Sequence, residues 1–498
     1  MEGVRRWRWL MIALAGLLAG VPATNAQSSP RMMLGPPVAS NEPAIVDPTL
    51  PINLPTALKL VNTRAMDVAI ASQRIVQAGA QLDQARYAWL PTITMGGDYM
   101  RHVGRVQDVA GGIINPHRSS FMAGVGANAI FTPADAIFAP LAARQVVRAR
   151  VADFDAATNN SMLAVAETYF NVQQARGDLA GAQVVAKHAE ELVGRTEKLA
   201  QGIAPPVEAV RARTEFARRK QVVQLTLERW RLASAELNRV LRLDPNLLID
   251  PIEPPQMRVA LVPLDQPLDA LIPLGLRNRP ELASQQALIE ATLQRLKQER
   301  IRPLVPSLVL RGPATNAPAL FTTGVFGGGH DSLGKYGMRT DVEVQVIWEF
   351  QNLLFGNAAK IHERKAENQI AILEMFRLQD RVAAEIAQAH AQAMSAALRL
   401  ADAESGLRDA ADSVDKNFQG MKQTKAAGDL LLLVVRPQEV IAAIQALSQA
   451  YGDYYGSVAD FNRAQFRLYR ALGQPADGIA AMCAPATSAN NDLPPPRR

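Results

Sequence analysis

Apolar or small residues recur at alternating steps of three and four from Val147 through Val151, Phe154, Thr158, Met162, Val165 and Tyr169 to Leu179, Ala189, Val193 and Thr196. That near-heptad stripe predicts one very long helix from about Pro140, packed in the manner of a coiled coil. The stripe stops at Gln201-Gly202-Ile203-Ala204-Pro205-Pro206, where glycine can end one helix and proline begin the next. It resumes at Val223, Leu227, Trp230, Ser234, Leu237 and Leu241, a return helix ending near Asp244. A second long stripe runs from Ile372 through Val382, Ile386, Ala393 and Leu400 to Val414, in a helix starting near Asn357. It breaks at Ala427-Gly428 and returns to about Leu472.

Between the helices the period changes to two. From Thr92 to Arg101, Ile93, Met95 and Tyr99 face one way and Thr92, Thr94 and Asp98 the other. From Phe121 to Phe131, the apolar set Phe121, Ala123, Val125, Ala127, Ala129, Phe131 alternates with Met122, Gly124, Gly126 and Asn128. Strand signals recur at 307–312 and, most cleanly, at 338–348. There Thr340, Val342, Val344, Val346 and Trp348 alternate with Arg339, Asp341, Glu343 and Gln345. Single helices are expected over 54–89 and 268–301. The order helix, strand pair, long helical hairpin thus occurs twice, at an offset of about 215 residues, which predicts an internal duplication. The segments are 54–244 (strand pair 91–131), a linker 245–267, 268–473 (strand pair 306–348), an N-terminal arm 27–53 and a disordered tail 474–498.

Arg5, Arg6 and Arg8 precede an apolar run to about Val21 and then Thr24-Asn25-Ala26, the layout of a secretory signal peptide, residues 1–26. Its loss lowers the net charge of +6 by two. The remaining excess is spread along helices, so nucleic-acid binding is not expected. The single cysteine, Cys483, excludes an internal disulfide in an exported chain. After the signal no apolar run reaches the ~20 residues of a helical span, so any crossing of a membrane falls to strands. Four amphipathic strands are too few to close a water-filled barrel, and open edges are not tolerated in lipid. Helical stripes rich in alanine bury little area each. Both point to an obligate oligomer with a strand-built barrel and a long helical tube.

This duplicated order resembles the TolC-like outer-membrane factors, the outer membrane efflux proteins, over roughly residues 54–473. The resemblance implies a homotrimer with a twelve-stranded outer-membrane barrel, four strands per chain, continued by an α-helical barrel across the periplasm of a Gram-negative bacterium. It implies a belt drawn from the 245–273 stretch and the C-terminal region. It also implies docking of the hairpin tips with a periplasmic adaptor and an inner-membrane pump. On this reading Asp98, Asn128, Arg339, Asp341, Glu343 and Gln345 face the lumen and the apolar rows face outer-membrane lipid. Gly202 and Gly428 match the family's tip turns, with Glu208 near the acidic position and Asp429 too early for it. Glu208 reads either as a tip acid or as a solvated acid favoured by a helix N-terminus. Leu430 to Val435 reads as a packed tip or an adaptor contact.

Gly329 to Lys335 fits seven places of a phosphate loop, but Tyr336 stands where Ser or Thr is needed, and a strand pattern follows where a helix should. His362-Glu363 lacks its second histidine, since position 366 is Ala366. Loop histidines His102, His117 and His330 have no ligand spacing. No catalytic, cofactor or metal site is expected. The function expected is a passive exit duct for efflux or type I secretion; the competing class is a soluble periplasmic coiled-coil adaptor, which needs only one helical hairpin.

Overall fold

A computed structural model describes residues 48–200, 205–311, 321–329, 333–427 and 430–474. The signal segment, most of the N-terminal arm, the tail with Cys483, and Gly202, Gly428 and Asp429 lie outside the described residues. The first described elements are strand β1 (Thr49–Ile52), helix α1 (Leu54–Arg64) and helix α2 (Met66–Tyr87). Asn53 caps α1, its Oδ1 accepting from the Thr56 N–H at 2.9 Å. The single helix expected over 54–89 is therefore two, split at Ala65, whose backbone is extended (φ −65°, ψ 123°). Strands β2 (Thr92–His102) and β5 (Arg118–Phe131) flank the short hairpin of β3 (Val106–Gln107) and β4 (Ile113–Ile114).

Helix α3 (Pro133–Leu199) has 67 residues, about 100 Å at ~1.5 Å rise. It begins seven residues before Pro140, which sits inside it; Pro133 takes the first-turn place that tolerates a missing N–H. Helix α4 (Pro206–Leu241) returns. Strand β6 (Leu248–Pro251) pairs in parallel with β1, Thr49 opposite Leu248. Helices α5 (Leu268–Asn278) and α6 (Pro280–Ile301) again replace one expected helix. Here the cause is local: Arg279 precedes Pro280, and a residue before proline is pushed to extended backbone (φ −67°, ψ 119°). Strands β7 (Ser307–Arg311), β8 (Phe321–Gly329) and β9 (Gly334–Ile347) lead to helix α7 (Phe355–Gly420). The hairpin of β10 (Thr424–Ala427) and β11 (Leu430–Leu433) and helix α8 (Pro437–Ala471) complete the order. The second tip is thus a small β-hairpin, a departure from the plain helical turn expected there.

The heptad stripes are buried where the four long helices meet. Met162, Val165, Tyr169, Val172 and Leu179 of α3 join Val382, Ile386, Ala393 and Ala396 of α7 in one cluster, completed by α1, α5 and the end of α8. A second cluster near the tips holds Leu192, Ala212, Val414, Phe418, Val440 and Ile444. Gly177 and Gly181 let α8 approach α3: a Cβ at Gly177 would lie 2.6 Å from the Tyr455 ring, and one at Gly181 2.8 Å from Tyr451.

Beyond the β1–β6 pairing, the linker is pinned by side chains that satisfy its buried backbone groups. Trp230 Nε1 donates to the Ile249 carbonyl at 2.8 Å and Asn238 Nδ2 to that of Leu247 at 2.6 Å. From α8, Asn462 Oδ1 accepts from Val259 N–H at 2.8 Å, and Gln465 Oε1 from those of Leu261 and Val262 at 3.1 and 3.0 Å. Beside it, Tyr169 donates to the Glu253 carboxylate, and burial followed by that carboxylate pushes the phenol well above its ordinary range. At the α5–α6 break Arg279, 3% exposed, meets Glu281 at 3.0 Å and Glu385 at 2.8 Å, and Arg470 pairs with the same two acids.

Candidate translocation path

The sheet order is β2-β5-β7-β9-β8, with β8 also paired to β5. Strand β7 covers the Phe131 end of β5 (Phe131 opposite Leu308), and β8 covers its other end (Phe121 opposite Gly327). Both are antiparallel to β5 and to β9. They therefore occupy one row between β5 and β9. The described residues of this sheet thus form four rows, and the third, between β5 and β9, is shared by β7 and β8. The outer sides of β2 and β9 have no partner strand among the described residues.

Residues directly opposite one another in antiparallel strands share a face. Tyr99 faces Phe121, Met95 faces Val125, Ala129 faces Leu310 and Leu310 faces Val344, so the apolar rows of all strands lie on one face. Asp98 faces Met122, which faces Phe326; Thr92 faces Asn128; Thr322 faces Asp341; Gly324 faces Arg339; Val309 faces Gln345; and Arg311 faces Glu343. The register thus places Asp98, Asn128, Arg339, Asp341, Glu343 and Gln345 together on the opposite face. There Gln345 donates to the Glu343 carboxylate. Exposure runs against the order of a soluble sheet. Met95 is 79% exposed, Met338 80% and Val344 60%, while Asp98, Asn128, Glu343 and Gln345 are half-buried. Aromatics bracket the apolar face, with Tyr99, Phe121 and Tyr336 at one end and Phe131 and Trp348 at the other. Phe121 to Phe131 spans about 34 Å along the strand at ~3.4 Å per residue. Tilted by the ~40° usual for such strands, that is roughly 26 Å, against an apolar band of about 25 Å for outer-membrane barrels.

Sequence reasoning missed β8. Phe321-Thr-Thr-Gly-Val-Phe-Gly-Gly-Gly has too many glycines to alternate. The glycines serve the neighbours: a Cβ at Gly327 would sit 2.6 Å from the Tyr336 ring lying over it. Strand β9 opens at Gly334, where a phosphate loop would lead into a helix.

At the first tip Glu208 lies in the opening turn of α4, as the helix-start reading had it, but it is not solvated. Its side chain is mostly buried, ion-paired to Arg211 at 2.7 Å. The other carboxylate oxygen is buried with no hydrogen-bond partner among the described residues. Glu197 of α3 reaches Arg213 of α4 at 3.6 Å. Arg195 sits 4.8 Å above the Phe418 ring and donates to its carbonyl at 3.2 Å, tying the two tips together. A buried carboxylate that the sequence did not single out, Glu215, holds Arg219 at 2.6 Å and Gln445 of α8 at 3.2 Å. At the second tip Val435 packs on the apolar cluster and Val434 is exposed. Among the described residues no three His, Cys, Asp or Glu side chains converge, and no helix is long and apolar enough to cross a membrane.

Residues 57–241 match the outer membrane efflux protein family. No curated protein sequence matches the chain. Among solved structures, the outer-membrane channel OprN aligns at 15% identity over 85% of this chain and 90% of that one, with a TM-score of 0.66. The MtrE channel of Neisseria gonorrhoeae, solved in an open state, aligns at 17% identity over 85% and 89%, with a TM-score of 0.65. The CmeC channel of Campylobacter jejuni aligns at 14% identity over 86% and 89%, with a TM-score of 0.64. The chain carries an outer membrane efflux protein domain over residues 57–241, within the fold of the TolC-like outer-membrane channels.

Proposed function

We propose that three copies of this chain form a passive exit duct across the outer membrane and periplasm of a Gram-negative cell. The observation that carries the reading is the four-row sheet with an exposed apolar face, a polar opposite face and, among the described residues, two edges without a partner strand. Three such sheets, edge to edge, close a twelve-stranded barrel and leave no unpaired backbone in lipid. Apolar side chains left in water on the helices (Met66 and Ile70 of α2; Ile370, Leu373 and Phe376 of α7) suit contacts between copies. The polar face, with Asp98, Asn128, Arg339, Asp341, Glu343 and Gln345, then lines the water path. The pinned 245–267 linker serves as a belt, and the shared element order of 54–241 and 268–471 is read as duplication.

The helical tips, including Gly202, Glu208, Gly428 and Asp429, meet a periplasmic adaptor and an inner-membrane pump that supplies the energy. The chain itself transfers no chemical group. Reconstitution in a planar bilayer tests this: the purified oligomer is expected to give discrete conductance steps without nucleotide or substrate. A preparation that assembles yet never conducts, even after proteolytic trimming of the tips, would contradict it.

A further inference from the structure

The outer end of the lipid-facing sheet carries charge as well as aromatics. Arg101 follows Tyr99 by two positions on β2, so it stands on the same face about 7 Å further out. Its cross-strand neighbour there is Ser119. Arg105 follows in the loop, and both arginines are exposed. Between Tyr99 and Phe121 three arginines stand against one acid, Asp108. Among the described residues neither Arg101 nor Arg105 is ion-paired. The adjoining β3–β4 hairpin leaves Val106, Val109, Ile113 and Ile114 in water, and Val109 is fully exposed. Arginines set just beyond an aromatic girdle, beside uncovered apolar side chains, match the junction between acyl chains and anionic headgroups.

We propose that Arg101 and Arg105, at the outer rim of the sheet's apolar face, bind the phosphate of a phosphorylated lipid headgroup in the outer leaflet, with the β3–β4 hairpin lying on the adjacent acyl surface. The guanidinium fork suits a phosphate held by two parallel hydrogen bonds. Arg118 is the built-in contrast. It pairs with His102 on the polar face, with Asn128 and Asp98, and lies away from the lipid.

The inference rests on the membrane-barrel reading, and the test separates the two. The full chain is extracted from outer membranes in mild detergent and titrated in native mass spectrometry with a bisphosphorylated diglucosamine lipid, its dephosphorylated form and inorganic phosphate. The unmodified oligomer is expected to bind the bisphosphorylated lipid, and Arg101→Ala/Arg105→Ala roughly thirtyfold more weakly. Arg118→Ala should bind as the parent does, and Arg101→Lys/Arg105→Lys should keep most of the binding. Equal binding of the dephosphorylated lipid, equal binding of inorganic phosphate, or an equal loss in Arg118→Ala would each overturn the site. Dissociation of the oligomer in the double alanine variant would overturn it too, assigning the arginines to contacts between copies. Absence of the unmodified chain from outer membranes would instead strike the barrel reading itself.

Discussion

Two neighbouring residues on α3 carry opposite requirements. Gly177 is there because the Tyr455 ring needs its space. Gly177→Val gains a few tenths of a kcal/mol in helix propensity and loses about 1–3 in overpacking. The packing term wins, so the heat-denaturation midpoint of the extracted oligomer falls, and Tyr455→Ala in the same chain restores part of it. Asp178, beside it, is pushed up to about 6 by burial, with Arg229 pulling the other way, and one of its oxygens has no hydrogen-bond partner among the described residues. The folded state thus holds the proton more tightly than the unfolded chain, whose carboxyl titrates near 3.8. Stability from the protonated form is full below about 4 and is lost as pH rises through about 6. Asp178→Asn should therefore denature at a higher temperature than the parent at pH 7.5, and at the same temperature at pH 4. Neither requirement was legible in the sequence, where Gly177 and Asp178 are two letters in a helical run.

At the scale of elements, the two faces of the sheet place opposite demands on neighbouring residues. Val344 and Gln345 are adjacent on β9 and face opposite ways. Val344→Arg puts a charge on the apolar face, where about 2–4 kcal/mol per chain is lost near the bilayer midplane. Gln345→Arg keeps its polar side. The expected outcome on semi-native gels is loss of assembled oligomer for the first and near-normal assembly for the second; equal tolerance would contradict the facing. This alternation was legible because a period of two needs no partner to be read. The long helices themselves were legible for the same reason, from stripes of 3.5-residue period, but not all their bounds: α3 starts seven residues before Pro140, and α7 ends at Gly420, ahead of the break read at Ala427. The split at Arg279 could have been read from Pro280, but nothing in the sequence around Ala65 marks the matching split. Strand β8 stayed hidden because its glycines answer to Tyr336 and Ser119 across the ladder. The buried state of Glu208 was equally hidden, since an acid in a helix's first turn is stabilised there whether wet or dry.

At the scale of the whole molecule, one chain is an unfinished object. Among the described residues its sheet ends in two edges without a partner strand, its apolar strand face is exposed, and its helices expose Ile370, Leu373 and Phe376. A single-chain protein would have to cover these surfaces or aggregate. The proposed closure by two further copies would satisfy all three at once; the sequence pointed to the same proposal through strands too few for a barrel and stripes too poor in bulk for a core. What the sequence could not supply is the pinning of the linker: Asn462 and Gln465 reach it across more than 200 residues, and the shorter bonds of Trp230 and Asn238 join side chain to backbone, so neither leaves a hydrophobic period to read.

The mass and membrane of origin of the native particle decide between a trimeric duct and a lone chain. Inner and outer membranes from cells expressing the full chain are separated, the protein is extracted in mild detergent, and its mass is found by light scattering. The expected result is an outer-membrane particle with three times the mass of the processed chain. A monomer in the soluble periplasmic fraction would contradict it, because the sheet's open edges and bare apolar face would then have to exist in water.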